Sequence, residues 1–284
     1  MDTASPLADA KTDDLIKGIG IPPCPATLVA LQREIAKEDP DLHQVTRLVS
    51  SDVALTASLL RVVNSASYAL QRPCATVEQS IAMLGLKQVG IAVTDLMLRK
   101  VLRTDGPQLT RFWDVSGKRS RAMRCLAREL RGVEVDIAQS FGLFCDVGIP
   151  LLMQRFPEYG RVLRDRNTDP DRSFTEVERT QIETDHALVG SLMARSWGVS
   201  REVCTAIRLH HDYTIFQDPG ISEGVSRLVA MGLLAEVAIQ RFARLNSSSE
   251  WDKGGEFVPG SLLLSDQGVD DCVEQLLDLF AADT

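Results

Sequence analysis

Apolar positions recur along this chain three and four residues apart, so its elements are predicted to be helices. After Pro22, Pro23 and Pro25, which fix an extended entry, Leu28, Leu31 and Ile35 share one helical face. Asp41 with Gln44 has capping-box spacing ahead of Val45, Leu48 and Val49, and Thr76 with Gln79 repeats it. Further helices are expected from Val53 to Ala66, from Gln88 to Leu102 and, past a turn at Gly106-Pro107, from Trp113 to Leu130. A buried stretch, FGLFCDVGIPLLM, follows. Thr175 and Glu178 read as the cap of a long helix with Ile182, His186, Val189, Met193 and Trp197 on one face. Ser200 caps the next, which carries Val203, Ile207, His210 and His211. Residues 222–245 form another helix, NSSSEWDKGGEFVPG a loop of turn formers, and Val269–Phe280 an acidic amphipathic ending.

No segment alternates with period two between hairpin turns, so the expected fold class is all-α. Its organisation is read as a mobile tail over 1–18, an N-terminal helical subdomain over 19–105, a second helical subdomain over 106–245, and a loop with an acidic helix over 246–284 packed on them. Any ligand groove is expected where the two subdomains meet.

Composition narrows the partners. With 31 basic and 39 acidic residues the net charge is −8, which opposes attachment to nucleic acid or to an anionic membrane. Six scattered cysteines without a CxxC pair suggest neither a zinc ribbon nor a disulfide framework, and read as reduced and cytoplasmic. The N-terminal MDTASPLADAKTDD has no basic segment followed by an apolar core. No uninterrupted apolar run nears the roughly 18 residues that span a bilayer.

The chemistry concentrates at Asp146, set in GLFCDVG where water should be scarce. A carboxylate there requires a partner, because an unpaired buried charge costs several kcal/mol. His186, His210 and His211 lie on inward helix faces and are the candidates. Two arrangements satisfy them: a metal ion held by imidazole and carboxylate, with Cys145 adjacent, or a hydrogen-bonded polar core without metal. Separately, Arg121, Arg124, Arg128 and Arg131 recur at i, i+3, i+7 and i+10, extended by Lys118 and Arg119. This stripe is either a solvated face or a contact for an acidic partner or a phosphate.

Several ordered segments carry a family resemblance. IPPCPATLVAL, SSDVALTASLLRVVNSASY with Asn64-Ser65, and TVEQSIAMLGLKQV resemble the N-terminal part of HDOD domains. FWDVSGKRS, SFGLFCDVGIPLL, ETDHALVGSLMARSWGV and AIRLHHDY are similar to landmarks that HDOD domains share with HD and HD-GYP phosphohydrolases. The resemblance covers residues 19–245. It implies a first-landmark metal histidine where this chain has Val115, a His-Asp doublet where it has Cys145-Asp146, and a last aspartate near Gly232 or Leu233. Asp146 alone remains of those four. His186, His210 and His211 match histidines that serve additional metals in HD-GYP enzymes, while the Gly-Tyr-Pro element is replaced by DYTIFQDPG.

The resemblance therefore implies a bacterial regulatory module that is not an enzyme and needs no cofactor. It would work through other signalling proteins in trans, such as receiver or cyclic-dinucleotide turnover domains. The alternative is a weak metal-dependent phosphohydrolase acting on a nucleotide or cyclic dinucleotide, any metal being held by Asp146, His186, His210 and His211.

Overall fold

A computed structural model describes residues 18–65, 68, 70–102, 107–244 and 249–282. Residues 1–17 of the tail expected over 1–18, Gly106, and the far end of the Val53–Ala66 helix lie outside them. Helices account for the described chain, with no strand among those residues.

In the N-terminal part, α1 (Ala26–Ile35) follows Pro25, and α2 (Leu42–Ser50) begins where the Asp41 carboxylate accepts the amides of His43 and Gln44. Next come α3 (Val53–Val63), capped by Asp52, and α4 (Val77–Leu84), capped by Thr76. Gly85, at φ 82°, separates α4 from α5 (Leu86–Val101). Helix α5 packs on α1, α3 and α4 and reaches α7 beyond them, joining the two halves. Buried apolar side chains from Leu28 to Phe280 form one continuous cluster across that junction.

The second half is built on two long helices, α6 (Pro107–Glu129) and α13 (Glu223–Phe242), packed on each other. Helix α6 begins at Pro107, six residues earlier than predicted, with proline in a first-turn position where no intrahelical amide is missed. The buried FGLFCDVGIPLLM stretch resolves into α7 (Val135–Phe144) and α8 (Gly148–Arg155), broken by a turn at Cys145–Val147. Together they form an apolar tract long enough to cross a membrane by length and composition, a feature that counting uninterrupted apolar runs overlooks; of its most apolar 18 residues, 72% are buried in the protein.

Helix α9 (Tyr159–Thr168) comes next. The predicted long helix from Thr175 is two helices, α10 (Phe174–Ile182) and α11 (His186–Ser196). The capping box is Ser173 with Glu176, and left-handed Glu183, at φ 58°, ends α10 before Asp185 caps α11. Helix α12 (Arg201–Leu209), capped by Ser200, leads to α13. The predicted loop after residue 245 is also corrected: it contains α14 (Ser249–Gly254), a 3₁₀ turn over Gly255–Phe257 and α15 (Val258–Leu262). Aromatic packing orders it, since a Cβ on Gly254 or Gly255 would collide with the Tyr213 or Trp251 ring. The chain closes with α16 (Asp266–Ala281), whose Val269, Val273, Leu276 and Phe280 are buried.

Candidate functional site: a buried carboxylate–histidine cluster

Asp146 occupies the turn between α7 and α8, held by backbone bonds from Cys145 to Phe141, Val147 to Phe144 and Ile149 to Asp146 itself. The turn is pressed onto the start of α11. At Gly148 a Cβ would overlap the His186 carbonyl oxygen and lie 2.9 Å from the Gly190 nitrogen, so only glycine permits this approach. His186 is the first residue of α11, behind Asp185, whose carboxylate caps Leu188 and takes the Arg179 Nε at 2.6 Å. His210 is the C-cap of α12 and His211 follows it.

The sequence-predicted quartet is thereby brought together. One ligand atom from each of Asp146, His186, His210 and His211 lies within 4.8 Å of the others. Asp146 Oδ1 is 3.3 Å from His186 Nε2 and 3.5 Å from His210 Nε2, which are themselves 3.3 Å apart. Each histidine also bonds through Nδ1 to a group that can only accept. His186 donates to Glu178 at 2.6 Å, His210 to the Ile207 carbonyl at 2.7 Å, and His211 to Glu250 at 2.6 Å. The remaining ring atom of each is Nε2, the pattern by which an outer acceptor orients a ligating imidazole. Cys145 is buried beside His210 and Asp146.

Besides Glu250, four charged residues absent from the sequence-level site complete it. Glu178 is fully buried and accepts from Tyr159 Oη (2.6 Å), Arg166 (2.8 Å), the His186 amide (2.9 Å) and His186 Nδ1. Arg119, which sequence placed with the surface stripe, is 6% exposed and binds Asp146 Oδ2 and Glu236, each at 2.7 Å. Arg119 lies one turn beyond Val115, and Glu236 one turn beyond Gly232, so both flank positions where the family resemblance predicts missing ligands. No local signal marked them, because each pairs with a residue distant in sequence.

The electrostatics follow from these contacts. Burial works against the Asp146 carboxylate, but Arg119 and the two histidines outweigh it and hold it well below the usual range. Burial likewise opposes charge on His186, yet Glu178 and Asp146 push it up to about 9. His210 also rises to about 9, against burial, beside Cys145 and Asp146. His211 goes the other way: burial and then the His210 charge push it down to about 3, so it is a neutral imidazole donating to Glu250.

The other sequence candidates separate. Arg124 is buried with its guanidinium 5.0 Å over the Tyr68 ring, Arg121 is half-buried, and Arg128 and Arg131 are exposed, so the four are not one solvated stripe. Asn64 clamps a loop, donating to the Cys74 carbonyl at 2.8 Å and accepting the Cys74 amide at 2.7 Å. Ser65 returns its hydroxyl to the Val62 carbonyl. Where the two halves meet, a cavity of about 300 Å³ lies between α1, α5, α7, the Gly198–Ser200 turn and the start of α12. Leu31, Ile91, Phe144 and Val203 line it, with the Lys87–Asp136 pair at 2.9 Å.

The all-α fold, with a histidine–carboxylate cluster between its helices, is consistent with an HD-like helical domain. The family model described as HDOD domain matches residues 21–213, and the chain belongs to that family. It is 26% identical over 198 residues to an uncharacterised protein of Treponema pallidum (strain Nichols), which covers 68% of this chain and 38% of that protein's length. The solved HDOD domain protein with unknown function from Geobacter sulfurreducens superposes with a TM-score of 0.73 at 22% identity, covering 96% of each chain. A candidate phosphohydrolase from Shewanella amazonensis SB2B gives 0.73 at 18%, over 95% of this chain and 94% of that one. A candidate signal transduction protein from Marinobacter aquaeolei VT8 gives 0.71 at 20%, over 94% and 59%. At these identities the likeness is one of fold.

Proposed function

We propose that this chain is a non-catalytic signalling module that acts through contacts with other proteins, its ancestral metal site converted into a structural polar core. The observation that carries this reading is the guanidinium of Arg119 on Asp146 Oδ2 at 2.7 Å. Phosphodiester hydrolysis by an HD-type site uses divalent ions to lower the pKa of the attacking water and to neutralise phosphoryl charge. Here one face of the remaining carboxylate is neutralised by a guanidinium, which cannot activate a water as a metal ion does and whose charge is already taken by Asp146 and Glu236. The signal-transduction description of the Marinobacter relative agrees with this reading. Partners in trans are receiver or cyclic-dinucleotide turnover domains, and exposed Arg128 and Arg131 are the part of the arginine stripe able to meet an acidic surface on them.

A second reading is favoured by a specific observation, the convergence of Asp146, His186, His210 and His211 with all three Nδ1 atoms committed elsewhere. This donor set fits one transition-metal ion. An ion bound there would supply an activated water and charge neutralisation for a phosphohydrolase. In that case Glu178 and Glu250 orient the imidazoles, and Asp146 shares its charge with Arg119.

One experiment separates the readings. The purified chain is loaded in turn with manganese, iron and zinc, then assayed on a generic phosphodiester and on cyclic dinucleotides. In parallel, its binding to receiver and dinucleotide-turnover domains from the same host is measured, with Arg128→Glu/Arg131→Glu as control. The module reading expects turnover no higher than in chelator, and binding weakened at least tenfold in the control. Metal-dependent turnover lost in Asp146→Ala and His186→Ala would replace it with the enzymatic reading.

A further inference from the structure

We infer that Arg119 is a built-in substitute for a divalent cation, occupying an oxygen-ligand position that Asp146 and Glu236 would form without it. Its two terminal nitrogens contact one oxygen of each carboxylate, Asp146 Oδ2 and Glu236 Oε2, both at 2.7 Å. One cation from α6 thus bridges two anions brought by the α7–α8 turn and by α13. A guanidinium buried this deeply is tolerated only because both sides are paired. Burial disfavours its charge, but Asp146 and Glu236 more than restore it, so the group stays cationic at every accessible pH.

The remaining oxygens show that this position is separate from the histidine side. Asp146 Oδ1 faces His186 and His210, while Glu236 Oε1 accepts from Gln240 at 3.0 Å. Asp146 therefore stands between two cationic environments, imidazoles on one face and Arg119 on the other. In two-metal sites a carboxylate holds this same place between ions about 3.5–4 Å apart. The two groups that Arg119 pairs with there are both carboxylate oxygens. Its matching cation is a hard divalent ion, manganese, magnesium or calcium. It follows that the natural chain can bind at most one ion at this cluster, on the histidine face. The inference rests on the proposed conversion of the site, but an ion count reads neither turnover nor partner binding, so its failure is distinguishable from failure of that reading.

The test uses the full chain, stripped with chelator and titrated with Mn²⁺, with free Mn²⁺ counted by electron paramagnetic resonance and melting temperature followed alongside. Arg119→Gln is expected to melt below the natural chain without metal, to bind one more Mn²⁺ per chain, and to recover part of its lost melting temperature saturably. Adding Glu236→Gln to it should abolish the extra ion and the recovery. If Arg119→Gln does not fold, Arg119→Met carries the count, since it fills much of the same volume with no charge and frees both carboxylates, and it too should gain an ion. Equal Mn²⁺ stoichiometry in the natural chain and in the folded Arg119 variants overturns the inference, as does a gain that survives loss of Glu236.

Discussion

Glu178 shows how one side chain can organise a site without touching its centre. It receives four donors, two of them from His186, and its charge balances Arg166. Glu178→Gln removes the charge and leaves a buried arginine unbalanced, so a stability loss of about 3–5 kcal/mol is expected in urea denaturation. The histidines make a pH prediction. His186 and His210 sit near 9 in the folded chain against an ordinary 6.5, so folding favours their protonated forms. That stabilisation is complete below pH 6.5 and is lost as pH rises through 9. His211 is held near 3, so its contribution opposes folding as pH falls from 6.5 toward 3. In chelator, the melting temperature should peak near neutrality, and His186→Gln should flatten the alkaline decline. An undiminished alkaline limb in that variant would contradict the protonation assignment.

At the scale of elements, the meeting of α8 with α11 decides whether Asp146 reaches His186. Gly148→Ala would drive a methyl group into the backbone of α11, a clash no side-chain rotation relieves. A destabilisation of about 3 kcal/mol is expected from such overpacking, with a changed His186 imidazole signal in NMR spectra. Gly160→Ala is the control: that glycine, near the start of α9, faces open space and should be neutral or stabilising. The helix caps show how far local patterns can be trusted. Asp41, Thr76 and Ser200 cap as predicted, but Ser173-Phe-Thr-Glu176 and Thr175-Glu-Val-Glu178 overlap with the same spacing. Spacing cannot choose between them. The choice is made by Tyr159, Arg166 and His186, which draw Glu178 into the core and leave Glu176 to cap.

For the whole molecule, the segment after residue 248 closes the polar core from outside the family match. Glu250 accepts from His211 and Tyr213, and Lys253 reaches the carbonyls of Asp169 and Arg172. Glu250→Ala leaves a buried imidazole and a phenol without their acceptor, a loss of about 2–4 kcal/mol. Amides around Asp169–Ser173 and His211–Tyr213 should then exchange faster with solvent, while those of α2 and α3, far along the chain in the N-terminal bundle, stay unchanged. Uniform acceleration would mean that Glu250 supports global stability alone and does not close the site.

What the sequence by itself determined is what repeats locally. Apolar periodicity and caps made the chain all-α, ordered segments gave its family, helical phase turned three histidines inward, and the apolar residues around Asp146 marked it as a carboxylate in need of partners. Only the tertiary structure decided their partners. Arg119 and Glu236 are 117 residues apart, His211 and Glu250 39 apart. An arginine in a stripe of arginines, or a glutamate in a run of turn formers, looks solvated until packing removes the water around it. The physical reason is that charge pairing depends on distance and burial, and neither leaves a period in the chain.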